Sequence, residues 1–138
     1  MTNREAALFS LKRAKTILEE AKMLFERKAW NLVVRRSQES VELALKAVLI
    51  WAGTDVPKLH DVSRPLRENM DKFPNWFHKL IPRLTSISRS LRAEREMSFY
   101  GDEESGTPPE MLYFEEDALE ALKKAEFVLE SSRRLICG

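Results

Sequence analysis

The sequence predicts an all-α fold: a four- to five-helix up-and-down antiparallel bundle forming one domain over residues 1–138. Three observations carry this. Apolar residues recur at steps of three and four through most of the chain, the period of a helix with one buried face. Only 4 glycines and 6 prolines occur, too few turn-formers for a many-stranded β fold. No stretch keeps the strict alternation of a half-buried strand.

The first helix opens at Thr2-Asn3-Arg4-Glu5, a Ser/Thr-x-x-Glu capping pattern. Leu8, Leu11, Ala14, Leu18, Ala21 and Phe25 then form its apolar stripe, and it ends near Lys28. The second helix, about Trp30 to Ala52, is the greasiest. Val34, Val41, Leu45, Val48 and Ala52 form one stripe, widened by Val33, Ala44, Leu49 and Trp51. A helix apolar over that much of its circumference belongs in the middle of a bundle or at a subunit interface. Trp30 and Trp51, expected to be exposed at its two ends, suit the interface. Glu42 and Lys46 are spaced for a favourable i,i+4 pair. Gly53 caps the end, and Pro57 prevents continuation.

After the connector 54–61, a short helix from Val62 to Lys72 carries Leu66 and Met70. The fourth helix begins either at Trp76, with a kink, or at Pro82, because proline disfavours helical geometry at the residue before it. Its stripe is Leu84, Ile87 and Leu91, extending to Met97. Residues 101–114 hold glycines and a Pro-Pro pair and form one long loop. The last helix starts at Glu115-Glu116-Asp117 and closes with Arg133-Arg134, both placements complementing the helix dipole. Ala118, Leu122, Ala125, Leu129, Ser132 and Ile136 are its buried side.

Composition bounds the function. Lys and Arg total 23 against 22 Asp and Glu, so a protein that coats nucleic acid is excluded and any phosphate site must be a local cluster. The single cysteine, Cys137, argues for a reducing compartment, and the charged N-terminus lacks the apolar core of a signal peptide. The longest apolar run, 47–52, is far too short to span a bilayer. Cytoplasm, with no membrane contact, is the expected location. His60 and His78 are the only histidines, so neither a zinc site nor any other cofactor is expected. No glycine-rich phosphate loop can be drawn.

Three features remain. Arg89, Arg92 and Arg95 recur on the fourth helix, and Arg35-Arg36 lie on the second. Guanidinium groups can grip phosphate bidentately. The same spacing suits a solvated face paired with Glu94 and Glu96, and spacing alone favours that plainer reading. The acids Asp102, Glu103 and Glu104 follow Phe99-Tyr100 at a helix C-terminus, where acids are disfavoured unless cations pair with them. The two tryptophans are the third.

The stretch from Trp30 to Leu49, with Trp30-Asn31-Leu32-Val33-Val34-Arg35-Arg36-Ser37-Gln38-Glu39-Ser40-Val41-Glu42 at its head, resembles the second helix of the HEPN family. Gly53, the connector Val56-Pro57-Lys58-Leu59-His60-Asp61-Val62, Arg92-x-x-Arg95, Phe99-Tyr100 and the alanine- and leucine-rich last helix extend the resemblance over about residues 5 to 135. The resemblance implies a homodimer that binds nucleotides, RNA or a partner, often beside a minimal nucleotidyltransferase in a toxin–antitoxin-like pair. RNase members carry an arginine, four to six residues, then histidine. Arg95 matches the arginine, but Tyr100 stands in the histidine position. A phenol of pKa near 10 is a poor acid-base group at neutral pH. The resemblance therefore implies a binding module without RNase catalysis. Arg92 and Arg95 would hold phosphate beside Arg35, Tyr100 would stack, and Glu39 or Asp102 would orient the arginines. A metal-independent RNase with a degenerate site and a purely structural helical dimer are the competing expectations.

Overall fold

The structure, a computed structural model, describes residues 1–56 and 61–138. Two long helices open it: α1 (Asn3–Glu26) and α2 (Trp30–Trp51). Two short ones, α3 (Ser63–Glu68) and α4 (Asn75–His78), lead into the third rod, α5 (Ile81–Ala93). A single further turn, α6 (Met97–Tyr100), follows it, and the chain closes with α7 (Glu115–Cys137). Thr2 caps α1 by accepting from the Glu5 N–H at 3.1 Å. Gly53 takes a φ of +72° just beyond α2, a left-handed position that glycine fills without the Cβ penalty.

Cross-links fix the directions. Ser10 Oγ donates to Leu43 O and Ser40 Oγ to Ala14 O, so α1 and α2 are antiparallel. Asn31 reaches Ser98 while Arg35 reaches Arg95, which turns the α5–α6 rod against α2. Arg83 lies over the Phe127 ring and Lys124 reaches Ser90, so α7 runs back along α5. The four rods α1, α2, α5 and α7 thus run up, down, up and down. The core holds Leu18, Val41, Leu45, Val48, Leu84 and Leu91, with Phe77 of α4 fully buried in the same cluster.

Several expectations need correction. The third helix stops at Glu68 and is followed by a separate 3-10 turn, Met70–Lys72. Between Trp76 and Pro82 the chain takes the second predicted course to within one residue: α4 ends at His78 and a separate α5 starts at Ile81, with Pro82 in a first turn that needs no proline N–H. That rod stops at Ala93, before Arg95, and Met97 is exposed rather than continuing the stripe. On α7 the buried position falls to Val128, leaving Leu129 half-buried. The tryptophans are also half-buried, not exposed: Trp30 packs edge-on against Phe25, and Trp51 stacks on Phe73. The apolar surplus of α2 is absorbed within the chain, by α1, α5 and α7. Among the described residues no helix is long and apolar enough to cross a membrane.

Candidate functional site: an arginine-held turn beside a groove

The site begins with polar residues inside an otherwise apolar helix. Asn31, Arg35, Gln38 and Glu42 are spaced four, three and four apart, so they share one edge of α2. That edge faces the turn joining α5 to α6. Asn31 Nδ2 donates to Ser98 O at 3.1 Å, and Arg35 Nη1 donates to Arg95 O at 2.6 Å. Two turns further along, the Glu42 carboxylate accepts from Arg95 Nη1 at 3.2 Å, Lys46 Nζ at 3.1 Å and Gln38 Nε2 at 3.2 Å. Glu42 is 8% exposed, and these cations offset the cost of burying its charge. The turn is therefore clamped from α2 through both its backbone and its arginine.

Beside the clamp lies an open groove of about 350 Å³. Met23, Leu24, Leu32 and Phe99 give it an apolar floor, and Arg27, Arg35 and Arg36 give it positive charge. The Arg35 guanidinium lies 5.1 Å from the Phe99 ring centre, in cation–π range. Arg36 is neutralised by Glu39 at 3.0 Å and Glu20 at 3.7 Å. Arg27 has no ion-pair partner among the described residues. A planar group could stack on Phe99 here while an anion meets Arg27 and Arg35.

Of the residues singled out in the sequence, Arg35 and Arg95 are brought together. Arg92 instead faces Asp61 across 3.9 Å. Tyr100 is exposed and packs edge-on to Phe99. Glu39 holds Arg36 and neither Arg92 nor Arg95. Asp102 is occupied within its own loop, bridging to Thr107 through the backbone and accepting from the Glu104 N–H at 3.1 Å. The orienting carboxylate is Glu42, which helical spacing alone reads as half of a pair with Lys46. The signal that could have found it is its phase, on the Asn31–Arg35–Gln38 edge of a helix otherwise buried. Sequence reasoning also misses Phe99 and Arg27 as groove residues. His78 binds Met70 O through Nδ1 at 3.1 Å, and His60 lies outside the described residues.

Behind the turn, the buried Tyr113 hydroxyl donates to Glu94, tying the end of α5 to the start of α7. Burial, first, and the neighbouring Glu94 carboxylate, second, hold the Tyr113 pKa well above the usual phenol value.

Four antiparallel rods, with an arginine-bearing turn clamped to the second of them, define an all-α bundle domain. Residues 7–135 match the family described as HEPN domain, and the chain belongs to that family. It is 38% identical over 130 residues to a Methanocaldococcus jannaschii protein named "Putative toxin MJ1304", covering 91% of this chain and 84% of that one. It is also similar to the crystal structure of TT1696 from Thermus thermophilus. That match has a TM-score of 0.74 over 93% of this chain and 96% of the other, and at 21% identity it speaks for the fold alone.

Proposed function

We propose that the protein is the HEPN component of a toxin–antitoxin-like pair and binds RNA or a nucleotide in the groove between α1, α2 and α6, as a homodimer and without cutting RNA. The observation that carries the binding site is Arg35, bonded to the Arg95 carbonyl and lying over the Phe99 ring, at the edge of an open groove whose Arg27 has no ion-pair partner among the described residues. Phosphate contacts from Arg27 and Arg35, with a base stacked on Phe99, fit a single-stranded ligand. Arg95, held by Glu42 and by its own backbone bond, shapes the site more than it grips the ligand. Tyr100 stands where the RNase members of the family carry histidine, exposed and packed edge-on to Phe99. A minimal nucleotidyltransferase is the partner this family assignment favours.

The Methanocaldococcus relative is named a toxin, and together with the RNase members of the HEPN family that name favours a second reading, a toxin-type RNase. One experiment separates the two. Fluorescence anisotropy with a labelled single-stranded RNA should show binding that weakens with added salt. Arg27→Ala, which breaks no ion pair among the described residues, should weaken it roughly tenfold, the low end of losing a charge-assisted bond. RNA incubated with the wild type should remain intact. Cleavage abolished by Arg95→Ala would establish the enzyme instead. Binding unchanged in Arg27→Ala and in Arg35→Ala would reject the groove.

A further inference from the structure

The arginine groove uses the C-terminal half of α1. A second one, with no residue in common, lies toward the other end. Leu8, Leu11 and Leu129 floor a hollow of about 320 Å³ between α1 and α7, edged by Lys12, Lys15, Glu130 and Arg133. It runs on through Leu8 and Lys12 into a hollow of about 290 Å³ walled by Phe9 and Glu5. Phe9 is 57% exposed, an expensive place for a phenyl ring with nothing against it.

The charge here is lopsided. Arg133 is satisfied by Glu130, with contacts at 2.5 and 2.9 Å. Lys12 and Lys15 have no ion-pair partner among the described residues, nor does Arg13 between them. The rim is therefore basic and the floor aliphatic and aromatic. Glu5 and Glu130 are the acids on it, and Glu130 is already paired.

We propose that this groove receives an acidic amphipathic helix of a partner protein. Its apolar residues, at helical spacing, would fill the hollows over Leu8, Leu129 and Phe9. Its flanking carboxylates would meet Lys12 and Lys15. The elongated, two-lobed shape suits successive side chains of one helix. A phosphodiester or a lipid surface would answer the lysines but leave the recessed leucine floor unfilled. Lys12 is some fifteen residues from Arg27, which sits just past the end of α1, or about 22 Å at helical rise, so a partner docked here leaves the first groove open.

The test uses the full chain and a labelled peptide of about five helical turns, with leucines at i, i+4 and i+7 flanked by glutamates. A second peptide has lysines in place of the glutamates. The acidic peptide should bind about tenfold or more tightly than the basic one, because like-charge juxtaposition is penalised. Phe9→Asp should abolish binding without disturbing the core, since the ring is exposed. The double exchange Lys12→Glu with Lys15→Glu should invert the preference between the peptides, an outcome that general unfolding cannot mimic. Arg27→Ala should change nothing, which separates this proposal from the RNA groove. Equal binding of both peptides, or binding unaffected by Phe9→Asp, would overturn it. So would loss of a homodimer in Phe9→Asp, which would assign the face to a second copy of this chain.

Discussion

The two halves of α2 have the same secondary structure and nearly the same burial, yet they do different things. From Ala44 to Leu49 the buried residues Ala44, Leu45, Ala47, Val48 and Leu49 are all fully enclosed and apolar. From Asn31 to Glu42 the helix is similarly enclosed but carries Asn31, Ser37, Gln38, Ser40 and Glu42 among its buried residues. Apolar burial is non-directional and yields stability in proportion to area. Buried polar groups cost free energy unless their partners are correctly placed, so they fix one geometry among many. The apolar half holds the bundle together. The polar half decides where the α5–α6 turn rests, and with it Arg95 and Phe99.

The largest effect should come from the apolar half. Leu45→Ala removes a fully buried side chain from the centre of the core and should destabilise by about 2–5 kcal/mol in urea denaturation. A loss below about 0.5 kcal/mol, the range of surface substitutions, would mean that α2 is not central.

Glu42→Ala tests the polar half. It leaves Arg95, Lys46 and Gln38 without their shared acceptor. Because both cations keep some access to water, the cost should be about 1–3 kcal/mol, smaller than for Leu45. The diagnostic readout is local. Amide exchange at residues 94–98 should accelerate while the Ala44–Leu49 segment stays protected. Uniform acceleration would show that the two halves are not distinct.

Tyr113 adds a pH signature to the same turn. Its folded pKa lies above the unfolded value near 10, so its contribution is complete below that pH and fades as pH climbs beyond it. Tyr113→Phe should cost about 1 kcal/mol at neutral pH and flatten the alkaline fall in stability. An unchanged alkaline profile would mean that Tyr113 ionises freely in the folded state.

This division explains what is legible in the sequence. Periodicity reports burial, and it locates Leu18, Val41, Leu45, Val48, Leu84 and Leu91 correctly. It fails where helix phase is ambiguous, choosing Leu129 where Val128 is buried, and where a rod breaks, as at Ala93 before Met97. It cannot rank carboxylates. Glu39, Glu42 and Asp102 all lie within reach of arginines in one dimension, and only the helix's rotation about its own axis selects Glu42. The family resemblance identifies Arg95 but carries no information about Phe99 or Arg27 as groove residues, because their meeting depends on how α1 and α6 converge.

The finest test of the comparison uses two serines three residues apart. Ser40 and Ser37 are both fully buried on α2. Ser40 Oγ donates to Ala14 O at 2.8 Å and so joins α2 to α1. Ser37 Oγ has no hydrogen-bond partner among the described residues. Ser40→Ala exposes no new surface but removes the hydrogen bond from α2 to the Ala14 carbonyl of α1, and should cost about 1 kcal/mol. Ser37→Ala removes a hydroxyl that gains nothing from its position and substitutes a better helix former. It should be neutral, or stabilising by up to about 1 kcal/mol. Opposite signs for two chemically identical substitutions would show that the polar half is specified bond by bond rather than by composition. Equal losses would mean that Ser37 is hydrogen-bonded in solution, and that the polar half of α2 is more completely satisfied than its protein contacts alone provide.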